Sequence, residues 1–256
     1  MKYFINTEFI EGSQTKRLLS ILIGKTKPTI DLISIGIKCE DGREYYAISK
    51  DFNLKEAWNR YDKIINKQYP LGPEYNKVYW LRDNVLNPIF NELFKLEYDE
   101  TGGNGLDLVF SYSDLIYLID KYGKSNYQIS EEVYNFCSNN YHNENGLNFN
   151  QRKEYPLYDK FKPEFYGYYS YYDWVVFCWL FGKMINLPNG FPKYCIDLKQ
   201  ELERLNEVLS YNKDEKEKSY SLQEHKDYPI LVGEHNALND AKWNKQLYEF
   251  LIDLIP

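Results

Sequence analysis

The hydrophobic period of this chain changes between its two ends, from alternation to helical spacing, and that change confines it to folds that pair a sheet with covering helices. Residues 3–10 alternate, and 31–39 form a short apolar run carrying Leu32, Ile33, Ile35 and Ile37. Residues 44–49 follow the turn signal Asp41-Gly42. At the far end, Leu247, Phe250, Leu251 and Leu254 fall on one face of a helix expected over 237–254. Between them, helical patterns begin near Leu54 and recur over 84–96, 113–121 and 130–139. In the last of these Ser130 reads as the start signal, with Glu131 and Glu132 in the first turn. A strand over 164–170, a strongly apolar helix over 172–185, a short strand over 194–198 and a helix over 199–209 follow. The mixed charges of 211–229 read as a mobile loop. The expected class is α/β, a mixed sheet flanked by helices in one domain over 1–256, with the helical middle as an elaboration.

Composition removes several alternatives. With 43% hydrophobic and 27% charged residues, the chain has the apolar surface a packed core needs and is not a disordered polymer. Its longest apolar run, 174–181, is too short to span a bilayer, and Met1 to Glu8 turns polar too early for a signal peptide. A soluble, cytoplasmic protein with no membrane partner is expected. The net charge of -7 argues against a generally basic nucleic-acid glove, leaves room for a local patch, and suits a site that gathers carboxylates. The four cysteines form no CxxC pair, so free thiols fit better than a disulfide framework or a zinc site. No P-loop, GxGxxG or nucleophile elbow is present.

Three places could carry chemistry. Asn6 and Glu8 are two residues apart on the opening strand, about 6.5–7 Å along one face, beside Phe4 and Ile10. Polar groups on an apolar face demand partners, which backbone hydrogen bonds alone could provide. Asp173 opens the strongly apolar helix, where it serves either the macrodipole or a site. His235 precedes the last helix and Asp240 lies in its first turns, as a loop imidazole beside a helical carboxylate or as a solvated, capped turn. His142 and His225 sit in polar loops and read as surface residues.

In their order along the chain these elements resemble the DEDDh 3′→5′ exonucleases of the ribonuclease H-like superfamily, relatives of ribonuclease T and oligoribonuclease, and in particular small bacterial and phage 3′→5′ exoribonucleases. The resemblance is carried by Tyr3-Phe4-Ile5-Asn6-Thr7-Glu8-Phe9-Ile10-Glu11, Leu32-Ile33-Ser34-Ile35-Gly36 and Leu54-Lys55-Glu56-Ala57-Trp58-Asn59-Arg60-Tyr61. It continues in Tyr171-Tyr172-Asp173, Asp197-Leu198-Lys199-Gln200 and Glu234 to Asn244, and matches the middle only loosely. It implies a ribonuclease H-like fold and two Mg²⁺ or Mn²⁺ ions held by Glu8, Asp173 and Asp240, with Asn6 at the first acidic position. It further implies His235 as general base, a single-stranded RNA or DNA 3′ end as substrate, a nucleoside 5′-monophosphate as product, and a homodimer. Thr7, Phe9 and Trp174 are candidate substrate contacts, with a core role the competing reading for Phe9; Trp174 and Tyr171 stay ambiguous.

Two departures stand out. The family carries Asp where this chain has Asn6, and a neutral amide removes a charge and leaves one weaker oxygen, so metal occupancy or turnover should fall severely. An engineered substitution and a natural degenerate form both account for it, and the survival of the other four residues favours the first. The stretch at about 139–163 reads as an insertion, with Arg152, Lys153, Lys160 and Lys162 among aromatics, suited to gripping a single strand or to a solvated loop.

Overall fold

Strand β1 (Lys2–Gly12) organises the protein, and in the computed structural model, which describes residues 1–14, 27–69, 72–103, 107–138, 162–211 and 221–254, it runs through both of two compact units. The first unit comprises Met1–Thr7, Ser34–Ala47 and Asn126–Pro256; the second comprises Glu8–Ile33 and Ile48–Ser125.

The five-stranded sheet has the order β3-β2-β1-β6-β7, with β2 at Thr29–Cys39, β3 at Glu44–Ile48, β6 at Glu164–Gly167 and β7 at Ile196–Asp197. β1 is parallel to β6, and β6 to β7. Alternation along β1 explains how the first unit packs. Phe4 points into a cluster with Leu202 and Leu205 of α6 (Leu198–Tyr211) and Leu247, Phe250 and Leu251 of α7 (Ala237–Asp253). Tyr3 points the other way, toward Phe136 of α4 (Asn126–Cys137) and Phe165, which in turn meets Phe177 of α5 (Tyr171–Leu180) at 4.9 Å. Helices thus cover the sheet as the α/β pattern requires. The start of α7 approaches β2 so closely that a Cβ on Gly36 would sit 2.2 Å from the Ala237 carbonyl oxygen, so only glycine fits there.

The second unit holds α1 (Leu54–Asn59), a hairpin of β4 (Asp62–Tyr69) and β5 (Gly72–Val78), a π-helical turn at Arg82–Leu86, α2 (Asn87–Thr101) and α3 (Tyr112–Tyr122). Asn53 and Ser111 cap α1 and α3 by accepting from Glu56 and Asp114 backbone N–H groups. Glu97 of α2, buried, accepts from Lys121 Nζ at 2.7 Å and from the Tyr117 and Tyr122 hydroxyls, which ties α2 to α3. Among the described residues no helix is long and apolar enough to cross a membrane.

The structure corrects several element boundaries. α4 begins at Asn126, and Ser130 sits inside it, its hydroxyl donating back to the Tyr127 carbonyl, a bond that removes its need to cap. The apolar helix ends at Leu180, before Gly182 at φ 89°, and 184–186 form a separate 3-10 turn. The β4–β5 hairpin appears where no strand was expected. Within 211–229, Leu222–Glu224 form a 3-10 turn whose Leu222 lies in the core cluster, while 212–220 fall outside the described residues. The expected insertion lies outside them too, up to residue 161.

Candidate active site

The site is assembled where β1, α5 and α7 meet in the first unit. α7 is anchored to β1 by Asn244, whose Nδ2 donates to the Ile5 carbonyl at 2.8 Å from a fully buried position. Its N-terminus is capped by Asn236, which accepts from the Leu238 and Asn239 N–H groups at 3.0 Å. These restraints bring Asp240 over β1, where Asn6 Nδ2 donates to Asp240 Oδ2 at 3.4 Å. The backbone N–H of His235 donates to the same oxygen at 3.2 Å. His235 holds a left-handed backbone at φ 66°, an unusual conformation for a residue with a side chain, and the carboxylate helps fix it. Its Nε2 lies 3.9 Å from Glu234 Oε1.

Asp240 Oδ1 is buried without a hydrogen-bond partner among the described residues. Burial pushes the carboxyl up to about 7, the His235 N–H opposes the rise, and Glu234 and Asp173 add to it. Asp173 behaves alike. Its Oδ1 accepts from the Thr7 N–H at 2.9 Å and the Thr7 hydroxyl at 2.6 Å. Burial nevertheless raises it to about 7 against those two bonds, with Asp197 contributing in the same direction. Two neighbouring acids are thus held near the point of losing their protons, and one keeps an unused oxygen.

Asp197 fixes this corner. Its Oδ1 accepts from the Lys199 N–H at 2.8 Å and starts α6; its Oδ2 accepts from the Ser170 N–H at 3.0 Å, just before α5. The only sequence signal for this was an acid immediately before a helical pattern.

The other candidates divide. The Thr7 hydroxyl is committed to Asp173, and Thr7 is 4% exposed. The Trp174 ring stacks on Phe177 at 4.9 Å, with its Nε1 buried and lacking a hydrogen-bond partner among the described residues. Glu8 is buried further along β1, in the stretch that belongs to the second unit, as does Phe9. Tyr171 is exposed and receives a hydrogen bond from Gln200. His225 packs against Phe250 at 5.5 Å, and His142 lies outside the described residues.

The donors are oxygens, which suit Mg²⁺ or Mn²⁺. The unpartnered Asp240 Oδ1 is the atom that such an ion would satisfy. Among the described residues, however, no three His, Cys, Asp or Glu side chains gather as a metal cage. Position 6 contributes an amide, aimed at Asp240, in place of an acid.

No family model matches this chain. Over 57 residues, 22% of its length, it is 46% identical to 3′-5′ exoribonucleases from two strains of Mycobacterium tuberculosis. The match spans 26%, about a quarter, of the length of those relatives. This is a distant, partial relationship to bacterial 3′-5′ exoribonucleases.

Proposed function

We propose that this chain is a metal-dependent 3′→5′ exonuclease on a single ribonuclease H-like domain, and that Asn6 leaves it strongly impaired. It would hydrolyse phosphodiester bonds of RNA or short single-stranded nucleic acid to nucleoside 5′-monophosphates, in a cytoplasmic setting and as a homodimer. The observation that carries this reading is Asp240, a half-buried acid whose Oδ1 is buried and unpartnered among the described residues, beside Asp173 and bonded to the His235 backbone. The partial identity to exoribonucleases supports it.

Asp173 and Asp240, with Glu8 two residues beyond Asn6 on β1, would hold Mg²⁺ or Mn²⁺. When bound, two such ions supply a water of lowered pKa and stabilise charge on the attacking and leaving oxygens. The protein contributes the remainder. His235 takes the proton from the attacking water, from a loop whose left-handed backbone is tied to Asp240. Thr7 holds Asp173 in one rotamer through two hydrogen bonds, so that acid needs little reorganisation. Asn6 does the opposite of what a carboxylate would do, since it presents a donor to Asp240 Oδ2 where an acid would add a second negative oxygen for the cation.

A second reading follows from the incomplete cage: a non-catalytic nucleic-acid or nucleotide-binding protein that uses the degenerate pocket. Restoring the acid separates the two. The chain and its Asn6→Asp variant are incubated with 5′-labelled single-stranded RNA and DNA in Mg²⁺ or Mn²⁺, with an EDTA control. The exonuclease reading predicts a metal-dependent ladder shortening from the 3′ end in the variant. Absence of cutting by both proteins, with binding retained, selects the second reading.

A further inference from the structure

One face of the β4–β5 hairpin carries a chemistry that its own fold does not use. Residues two apart on a strand share a face. The register sets Lys63 opposite Lys77 and Ile65 opposite Tyr75. Just past the ladder, the Tyr61 and Tyr79 rings lie 5.7 Å apart. Tyr61, Tyr75 and Ile65 are 39%, 50% and 60% exposed. Cations lie over the rings: Lys77 Nζ is 4.4 Å from the Tyr61 centroid, Lys63 Nζ 5.8 Å from Tyr75, and the Arg82 guanidinium 4.0 Å from Tyr79. Asp62, by its parity, belongs to the opposite face.

Two features of this face point to an absent partner. Like charges directly opposite on paired strands destabilise a ladder, yet Lys63 faces Lys77, and neither has a carboxylate partner among the described residues. A two-stranded ribbon is also marginal alone, yet Tyr61, Tyr75 and Ile65 are left exposed to water. A polymer with flat apolar faces and regularly spaced anions answers both. Protein interfaces are depleted of lysine at their centre, which is where this face has two. Paired bases inside a duplex are not open to stacking on rings, whereas unstacked bases of a single strand are.

We propose that this hairpin face is a platform for single-stranded nucleic acid, on which Tyr61 and Tyr75 stack bases while Lys63 and Lys77 meet phosphates. The platform lies wholly in the second unit and uses none of the acids described above. Binding on it therefore stands or falls separately from hydrolysis.

The test measures fluorescence anisotropy of the full chain with labelled single-stranded RNA, single-stranded DNA and a duplex. EDTA is present throughout, so that cutting cannot intervene. The variants are Tyr61→Ala/Tyr75→Ala and Lys63→Gln/Lys77→Gln, with Asp62→Asn on the opposite face as control and thermal melting as the check on folding. The tyrosine pair should weaken single-strand binding at least tenfold. The lysine pair should lower the slope of log affinity against log salt by about 1.4. The control should bind as the parent does, and RNA against DNA names the preferred polymer. The proposal is overturned if the parent binds neither strand, if duplex binds as well as single strand, or if both folded variants stay within twofold of the parent. It is equally overturned if the tyrosine pair converts a dimer to a monomer with nucleic-acid binding unchanged, since the face is then a contact between copies.

Discussion

The acid site of the first unit and the hairpin of the second treat charge in opposite ways. Around β1 the protein buries Asp173, half-buries Asp240 and raises both to about 7, leaving Asp240 Oδ1 without a partner among the described residues. On β4 and β5 it leaves cations and rings in water, with two lysines face to face. Neither arrangement is what stability alone would select, because burial disfavours ionised acids and like charges repel across a ladder. The departures have opposite sign, and they call for opposite partners: cations at the acids and a polyanion on the hairpin. Local disagreement between a residue and its surroundings is therefore the more informative guide to function in this chain.

The largest effect should come from the imidazole. In the Asn6→Asp background, His235→Ala should lower kcat by about 10²–10⁴-fold while leaving the melting temperature within about 2 °C, measured by single-turnover cleavage and calorimetry. An active His235→Ala protein would remove the base from the acid site and weaken the contrast with the hairpin.

Packing sharpens the comparison next. Phe4 is buried between β1 and the helices α6 and α7, so Phe4→Ala should cost about 3–5 kcal/mol in urea unfolding. Ile65→Ala on the exposed face should change stability by less than about 0.5 kcal/mol. Comparable losses at both positions would mean that the hairpin face is packed.

The raised acids set a pH dependence. Asp173 and Asp240 keep their protons in the fold up to about 7, whereas in the unfolded chain they ionise near 3.8. Their contribution to metal-free stability is therefore complete below about pH 4 and is lost as pH rises toward 7. Asp173→Asn, which can still accept from Thr7, should raise the metal-free melting temperature at pH 8 by about 2–4 °C and flatten that slope. A lower melting temperature at pH 8 would show that the acid is not held against its charge. A modest effect belongs to the α7 cap: Asn236→Ala should cost about 1 kcal/mol by removing the acceptor for Leu238 and Asn239.

Elements with one clear period could be read directly. β1, β2, β3 and α7 appear with boundaries shifted by only a few residues, because each has one buried face that imposes its spacing. The hairpin escaped because its exposed face alternates rings with lysines, and Asn66 and Lys67 interrupt the apolar signal near a bulge. Ser130 misled for a related reason, since a serine bonded to its own helix looks the same in sequence as one that caps. At the site, Asn6 and Asp173 stood out as polar residues in apolar settings, and Asp240 as a helical carboxylate beside a loop imidazole. Their mutual contacts did not, because Thr7 reaches Asp173 across 166 positions and Asn6 reaches Asp240 across 234. Asp197 shows the limit most plainly: its hold on Ser170 depends on β7 lying beside β6.

The most direct measurement is Mn²⁺ binding by titration calorimetry at pH 7 in two buffers of different ionisation enthalpy, for the chain and for Asn6→Asp. Ligand acids that titrate near 7 must release protons as a cation binds. The account predicts that Asn6→Asp binds two Mn²⁺ per chain at least tenfold more tightly than the parent, with proton release, and that Asp240→Asn in that background abolishes it. Equal affinities for parent and Asn6→Asp, or binding that survives Asp240→Asn unchanged, would contradict it.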